Sequence, residues 1–229
     1  NGGGISVGSG ATLVMQGTEI KVINNHADGL GGGVYLAKSG TLNGKIIISQ
    51  NTVGANNKAG NLYATDGITV GNLSGSQIGI SATDSCVFTH GLKAGELADV
   101  LAVFSSDTES QVVGISGGEG YIGTKTEEPE GAFTEITYDK QKHDAVLNKT
   151  DIADLLNNAY TLEVKKYADE EDEVGEVVAD SLELLEAGIY KLTFTLKTGY
   201  LWASEDNRAE DSITVTVKIK KAAATVSTL

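Results

Sequence analysis

Read for apolar and polar positions, the first 124 residues fall into short β runs that come in groups of three. The segment Gly2-Gly3-Gly4-Ile5-Ser6-Val7 recurs as Gly31-Gly32-Gly33-Val34-Tyr35-Leu36 and, degraded, as Ala59-Gly60-Asn61-Leu62-Tyr63-Ala64. The offsets are 31 − 2 = 29 and 59 − 31 = 28. A second apolar run follows each copy: Ala11 to Met15, Gly40 to Leu42, Ile68 to Val70. A third closes each unit: Glu19 to Ile23, Lys45 to Ile48, Gln77 to Ile80. Three alternating or β-branched runs per repeat predict one triangular coil of a parallel β-helix, hence about three coils. Glycine supplies the positive-φ corners such a coil needs. Coils stacked about 4.8 Å apart complete one another's backbone pairing and set like residues on like. Asn25 and Asn51, which end the third runs of the first two units, either form an amide ladder or are ordinary turn residues.

The pattern changes after about Phe133. Short β runs now alternate with charged turns: Phe133 to Tyr138, Tyr160 to Lys166, Gly175 to Val178, Tyr190 to Lys197 and Ser212 to Ile219. Alternation is clearest in Tyr190 to Leu196 and Ile213 to Ile219, as an antiparallel sheet with one buried face requires. Asp151 to Asn157 reads as one helical turn capped by Asp151. Strands at this spacing over about 90 residues fit an immunoglobulin-like sandwich.

Composition divides the chain at the same place. Of 29 glycines, 25 lie at or before Gly123, and at roughly 1 kcal/mol each in a helix interior they exclude a long helix there. Up to Thr124 there are nine acids and five lysines, net −4; from Lys125 there are 22 acids and 12 bases, net −10. The single proline, Pro129, marks the seam. The expected organisation is an all-β chain: β-helix coils and cap over 1–124, a linker over 125–132, a sandwich over 133–221 and a tail over 222–229.

The segments Gly31 to Leu36, Asn61 to Val70 and Ser76 to Ser81 resemble the last coils of pectate-lyase-like right-handed β-helices in large bacterial surface proteins. That resemblance implies a closing segment like Phe88-Thr89-His90-Gly91. It also implies a hairpin assembled from Phe104 to Asp107, Gln111 to Ile115, Gly117-Gly118 and Tyr121-Ile122. In the second half, Ala187 to Phe194 resembles the penultimate strand of bacterial immunoglobulin-like domains, Tyr138 to Gln141 their opening strand, and Gly199 to Trp202 the following loop. The resemblance implies that Tyr190 is a corner tyrosine, its hydroxyl bonded to nearby backbone.

The net charge of −14 argues against nucleic acid or anionic lipid as partners, and no stretch approaches the roughly 18 apolar residues of a membrane span. The opening Asn1-Gly2-Gly3-Gly4 reads as an excised segment or a processed product, so missing address tags carry no weight. Cys86 is the one cysteine, so no intrachain disulfide forms; it reads as a buried or incidental thiol. His26, His90 and His143 share no metal-ligand spacing. The run Asp169-Glu170-Glu171-Asp172-Glu173 resembles the start of a calcium loop, but Val174 stands where the turn glycine belongs and Asp180 where a bidentate glutamate belongs. It reads as a solvated hairpin tip. The only arginine is Arg208, and no paired acid and base stands out. No catalytic, cofactor or metal residue is therefore assigned. Tyr200 and Trp202 are the candidate ligand residues, as a sugar-stacking pair set against the simpler reading of core or loop anchors.

Three functions follow. The first is a non-catalytic structural or adhesive segment of a large bacterial cell-surface or secreted protein, extracellular, partnered by its parent's other domains and by glycans or host surface proteins. The second is a carbohydrate-binding module using Trp202, Tyr200 or coil tyrosines such as Tyr35 and Tyr63. The third is the non-catalytic tail of a polysaccharide-degrading β-helix enzyme.

Overall fold

A computed structural model describes residues 1–64, 66–179, 181–206 and 208–223. It divides into two compact units: Asn1–Thr126 with Gly199–Ala209, and Glu127–Thr198 with the residues from Glu210 on.

The first unit is a parallel β-solenoid of about four turns. Its first coil holds β1 (Ile5–Val7), β2 (Leu13–Ile23) and β3 (His26–Ala27). The second holds β4 (Val34–Leu36), β5 (Gly40–Ser49) and β6 (Thr52–Val53), and β7 (Lys58–Ala59) folds back on β6 as an antiparallel hairpin. The third holds β8 (Leu62–Ala64), β9 (Ile68–Val70) and the start of β10 (Gln77–Ser81). The repeat offsets read from sequence are the pairing register: Ile5 faces Val34, Val34 faces Leu62, and Leu13, Gly40 and Ile68 align. In-register stacking builds apolar columns along the interior. One runs Val22, Ile48, Ile78, Phe104, and another Met15, Leu42, Val70, all buried. Each such side chain is stabilised by roughly 1.5–3 kcal/mol on leaving water.

Two expectations are corrected. The second and third runs of the first two coils are not separate strands. They form one bent strand each, because only Thr18 and Glu19 in one coil, and Lys45 in the other, separate the two faces. The unequal spacers leave a bulge between Gly17 and Ile20. The solenoid also has a further turn beyond the three expected. Strand β10 ends face three at Ile78 and begins the next face at Ile80, which pairs with Leu62; only Gly79 lies between. The turn continues through Thr89, bridged to Ile68, and returns as β12 (Phe104–Ser106) on β10. Its strands are too short and irregular to repeat visibly in sequence.

Strand β11 (Cys86–Val87), β13 (Gln111–Ser116) and β14 (Glu119–Thr126) close this end, with a seven-residue helix α1 (Leu97–Val103) whose Val100 and Val103 are buried. The expected hairpin is present. Ser116 faces Glu119 across Gly117 (φ 59°) and Gly118 (φ 79°), the doubly positive turn that matches strand twist. Val113, Ile115 and Ile122 pack on the solenoid core; Val112 and Tyr121 pack on Leu201 from the other face.

In the second unit a five-stranded sheet is ordered Glu135–Thr137, Ser212–Lys220, Gly188–Leu196, Tyr160–Tyr167, Glu176–Val177, with only the first pair parallel. A two-stranded pair joins His143–Asp144 and Glu183–Leu184. Alternation along the long strands buries Tyr190, Leu192, Phe194, Val217 and Ile219. Tyr160 meets Phe194 edge-on at 5.4 Å. The helical element is longer than one turn, Lys149–Asn158, and Asp151 is not its cap: the chain enters through Asn148 at φ 49° with no side-chain cap bond. Asparagine is among the few residues that tolerate that left-handed corner. Residues 224–229 of the expected tail lie outside the described residues.

Candidate functional site

The feature that organises the solenoid is a ladder of four side chains: Asn25, Asn51, Asn61 and Asp107. Asn25 donates its backbone N–H (2.9 Å) and its Nδ2 (3.0 Å) to Asn51 Oδ1. Asn51 donates the same two groups to Asn61 Oδ1, at 2.9 and 3.0 Å. Asn61 donates them to the two carboxylate oxygens of Asp107, at 2.6 and 2.5 Å. Asn51 is 1% exposed, and its Nδ2 also reaches Val22 O and Ser49 O. A buried amide with every group paired contributes both stability and register; half-paired, it would cost more than an apolar residue.

The ladder has a direction. Every rung donates toward the C-terminal end, and the carboxyl of Asp107 accepts both donors of the last amide. Asp107 also accepts from Ser81 Oγ at 3.1 Å. Burial pushes its carboxyl above the usual range, and the bonds from Asn61 and Ser81 oppose the shift.

The ladder also accounts for the glycine repeat. A Cβ on Gly33 would collide with Asn51 Nδ2, one on Gly79 with Asn61 and Asp107, and one on Gly4 would press on Asn25. At Gly3 and Gly32 it would strike backbone oxygens of the same and the next coil.

Two outward features complete the first unit. Tyr35 and Tyr63 are register partners whose rings stack at 5.7 Å with a 4° interplanar angle on the outer face of β4 and β8. At the cap, Glu119 accepts from Thr89 Oγ1 (2.7 Å), Gly91 N–H (2.6 Å) and Leu92 N–H (3.3 Å). Burial raises its carboxyl, but these bonds outweigh that and hold it below the usual range.

The sequence candidates Tyr200 and Trp202 lie in neither a loop nor the second unit. Tyr200–Trp202 is a strand running parallel to β14 in the first unit, with Thr124 opposite Tyr200 and Thr126 opposite Trp202. Trp202 is fully buried and Leu201 nearly so, while Tyr200 is half-buried. The indole face is thus occupied by packing and does not form an exposed platform. Gly114 and Gly123 leave the room that Leu201 fills. Arg208, assigned by sequence to the second half, also lies in the first unit, its guanidinium 3.3 Å from Ala203 O and 3.9 Å from Glu205. Sequence position alone misplaces these residues, because strands Gly188–Leu196 and Ser212–Lys220 both stay in the second unit.

The acidic run is used by its own turn. Asp169 Oδ1 accepts from Glu171 and Asp172 N–H, and Asp172 from Ala168, Val174 and Gly175 N–H. The left-handed turn residue is Gly175, at φ 63°. Asp180 lies outside the described residues. Each histidine pairs with one carboxylate: His26 with Asp28, His90 with Asp66, His143 with Asp139. Among the described residues no three His, Cys, Asp or Glu side chains are grouped to hold a metal. Burial and the neighbouring Asp84 raise the Cys86 thiol, which favours the unreactive protonated form. In the second unit, Tyr190 Oη donates to Glu186 O at 2.8 Å, the bond expected of a corner tyrosine.

Comparison with protein-family models, with characterised proteins and with solved structures finds no match to the chain.

Proposed function

We propose that the chain is a non-catalytic structural and adhesive segment of a large bacterial cell-surface or secreted protein. In this reading its first unit corresponds to the closing right-handed coils of a pectate-lyase-like β-helix and its second to an immunoglobulin-like domain. The observation that carries the proposal is the continuous Asn25–Asn51–Asn61–Asp107 ladder, in a unit whose hairpin and helix pack on the solenoid core. Such a core invests its buried polar groups in coil register, which suits a rigid spacer. The Tyr190–Glu186 bond supports the immunoglobulin-like assignment of the second unit. Assay of the chain on polyuronic and other acidic polysaccharides tests the non-catalytic part: no turnover is expected. Turnover abolished by a point substitution in residues 1–126 would overturn it.

A second reading has its own observation. The stacked Tyr35 and Tyr63 place two parallel rings and their hydroxyls side by side on the outer surface of the coils, where a glycan could contact both. A glycan array with the Tyr35→Ala/Tyr63→Ala variant separates the two: signal lost with the tyrosines favours the binding module.

A further inference from the structure

In the first unit a cavity of about 460 Å³ is lined by the end of α1, by β12, by the start of β13 and by Glu205 and Arg208. Two polar atoms of this lining are orphaned. Gln111 Oε1 and Arg208 Nε are both buried, and neither has a hydrogen-bond partner among the described residues. Arg208 is the only arginine of the chain, and its side chain is 23% exposed. Its charge is met by Ala203 O, 3.3 Å from Nη2, and by Glu205, whose carboxylate is 3.9 Å from Nη1 and 88% exposed. A guanidinium withdrawn this far from water ordinarily meets a carboxylate through two short parallel bonds. Glu205 stands at the outer limit of an ion pair and is mostly in water, so it fills that role poorly. The arginine is nonetheless fixed in place. Its carbonyl accepts from Ile115 N–H at 3.1 Å, and the missing Cβ of Gly114 admits that close approach. The strands beside the cavity each keep an open edge: among the described residues β12 pairs only with β10, and β13 only with β14.

We propose that this cavity binds an extended peptide segment of a partner protein, with an aspartate or glutamate side chain of the peptide on Nη1 and Nη2 of Arg208 and its backbone along the open strand edges. The carboxylate matches the planar fork of the guanidinium and displaces Glu205, which acts as a weak internal stand-in for it. The peptide backbone supplies what the rest of the cavity lacks. Its N–H groups are donors for Gln111 Oε1, which rotation of that side chain brings to the cavity, and its alternating donors and acceptors suit a strand edge. A free carboxylate ion supplies only the first of these contacts. The site lies apart from the amide ladder and the tyrosine stack, so it stands or falls separately from the structural reading of the coils.

A single arginine means a single arginine Nε–H resonance, so NMR titration of the full chain reads the site directly. The probe is a terminally blocked pentapeptide with aspartate at its centre and threonine and valine around it. The controls are the same peptide with asparagine at the centre, and acetate. The aspartate peptide is expected to shift the Arg208 Nε–H and the amides of Phe104–Ser106 and Gln111–Val113 saturably, while the asparagine peptide binds about tenfold more weakly or worse. Arg208→Gln is expected to abolish the shifts with the amides of Gly40–Ser49 unmoved. Glu205→Gln, a change at an exposed side chain that leaves the cap intact, is expected to tighten binding by removing the competing carboxylate. No saturable shift overturns the proposal, as does equal binding of the asparagine peptide. Acetate that matches the aspartate peptide overturns it in favour of a site for the carboxylate alone. Weaker binding by Glu205→Gln also overturns it, since Glu205 would then hold the peptide and not compete with it.

Discussion

Asn61 gives Asp107 two hydrogen bonds, one from its backbone N–H and one from its side-chain amide, each to a different carboxylate oxygen. The two residues are 46 positions apart, and the contact spans the turn of the solenoid that lacks a visible sequence repeat. It makes Asp107 the acceptor that ends the ladder, at the cost of a carboxylate partly withdrawn from water.

That placement sets the effect of substituting it. In Asp107→Asn the carbonyl accepts both donors on one oxygen, as in the other rungs, and the half-buried charge is gone. Asp107→Leu strands the N–H and Nδ2 of the buried Asn61, at about 1–3 kcal/mol per unsatisfied group. Thermal melts at neutral pH are expected to rank Asn equal to or above the native chain and Leu well below both. The folded carboxyl is raised, so the native chain loses this group's contribution as pH rises through the ordinary carboxylate range and above. The Asn variant lacks that dependence. A Leu variant as stable as the native chain would contradict the ladder.

Glycine substitutions separate structural repeat from turn composition. Gly33→Ala drives a methyl into Asn51 Nδ2 and Asn61 O, and overpacking of this kind costs roughly 1–3 kcal/mol. Gly8→Ala meets nothing within 4 Å and is expected to be neutral or slightly stabilising. Urea denaturation of the two variants checks the contrast.

In the second unit, Tyr190→Phe removes the bond to Glu186 O and leaves the ring, which is 4% exposed, in place. The expected cost is about 1 kcal/mol or somewhat more. It is read as a lowered melting transition of the full chain, and no shift would count against a corner role.

Acid is expected to open the cap before the coils. Glu119 holds Thr89, Gly91 and Leu92 as a carboxylate, and its folded value lies below the usual range. Its stabilisation is therefore complete above the unfolded-state value and lost as pH falls through the folded one. Hydrogen exchange at Gly91 and Leu92 should accelerate there while Ile46 to Ile48 stay protected. Simultaneous loss would mean that the cap is not a separate unit.

The solenoid was legible because its register is local arithmetic: the spacing from Ile5 to Val34 and on to Leu62 is printed in the apolar pattern. Asn25 over Asn51 was legible as one of two alternatives for the same reason. Asn61 and Asp107 were not, since Asn61 follows a hairpin insertion and Asp107 a helix, so neither keeps the repeat spacing. The fourth turn hid behind Gly79, which replaces a whole corner loop. Strands of the second unit stood out by alternation. The placement of Tyr200, Leu201 and Trp202 did not, because an apolar run carries no mark of which sheet it will join.

The measurement closest to the central claim is exchange at the asparagine side chains themselves, read by NMR from the Nδ2 protons. If the ladder sets the register of the solenoid, the Asn51 and Asn61 Nδ2 protons exchange far more slowly than those of Asn56 and Asn57, which sit in the exposed hairpin turn of the second coil. The Asp107→Leu substitution then speeds exchange at Asn61 first. Side-chain amides of Asn51 and Asn61 that exchange as fast as those of Asn56 and Asn57 would contradict the ladder, and with it the stacked coils it joins.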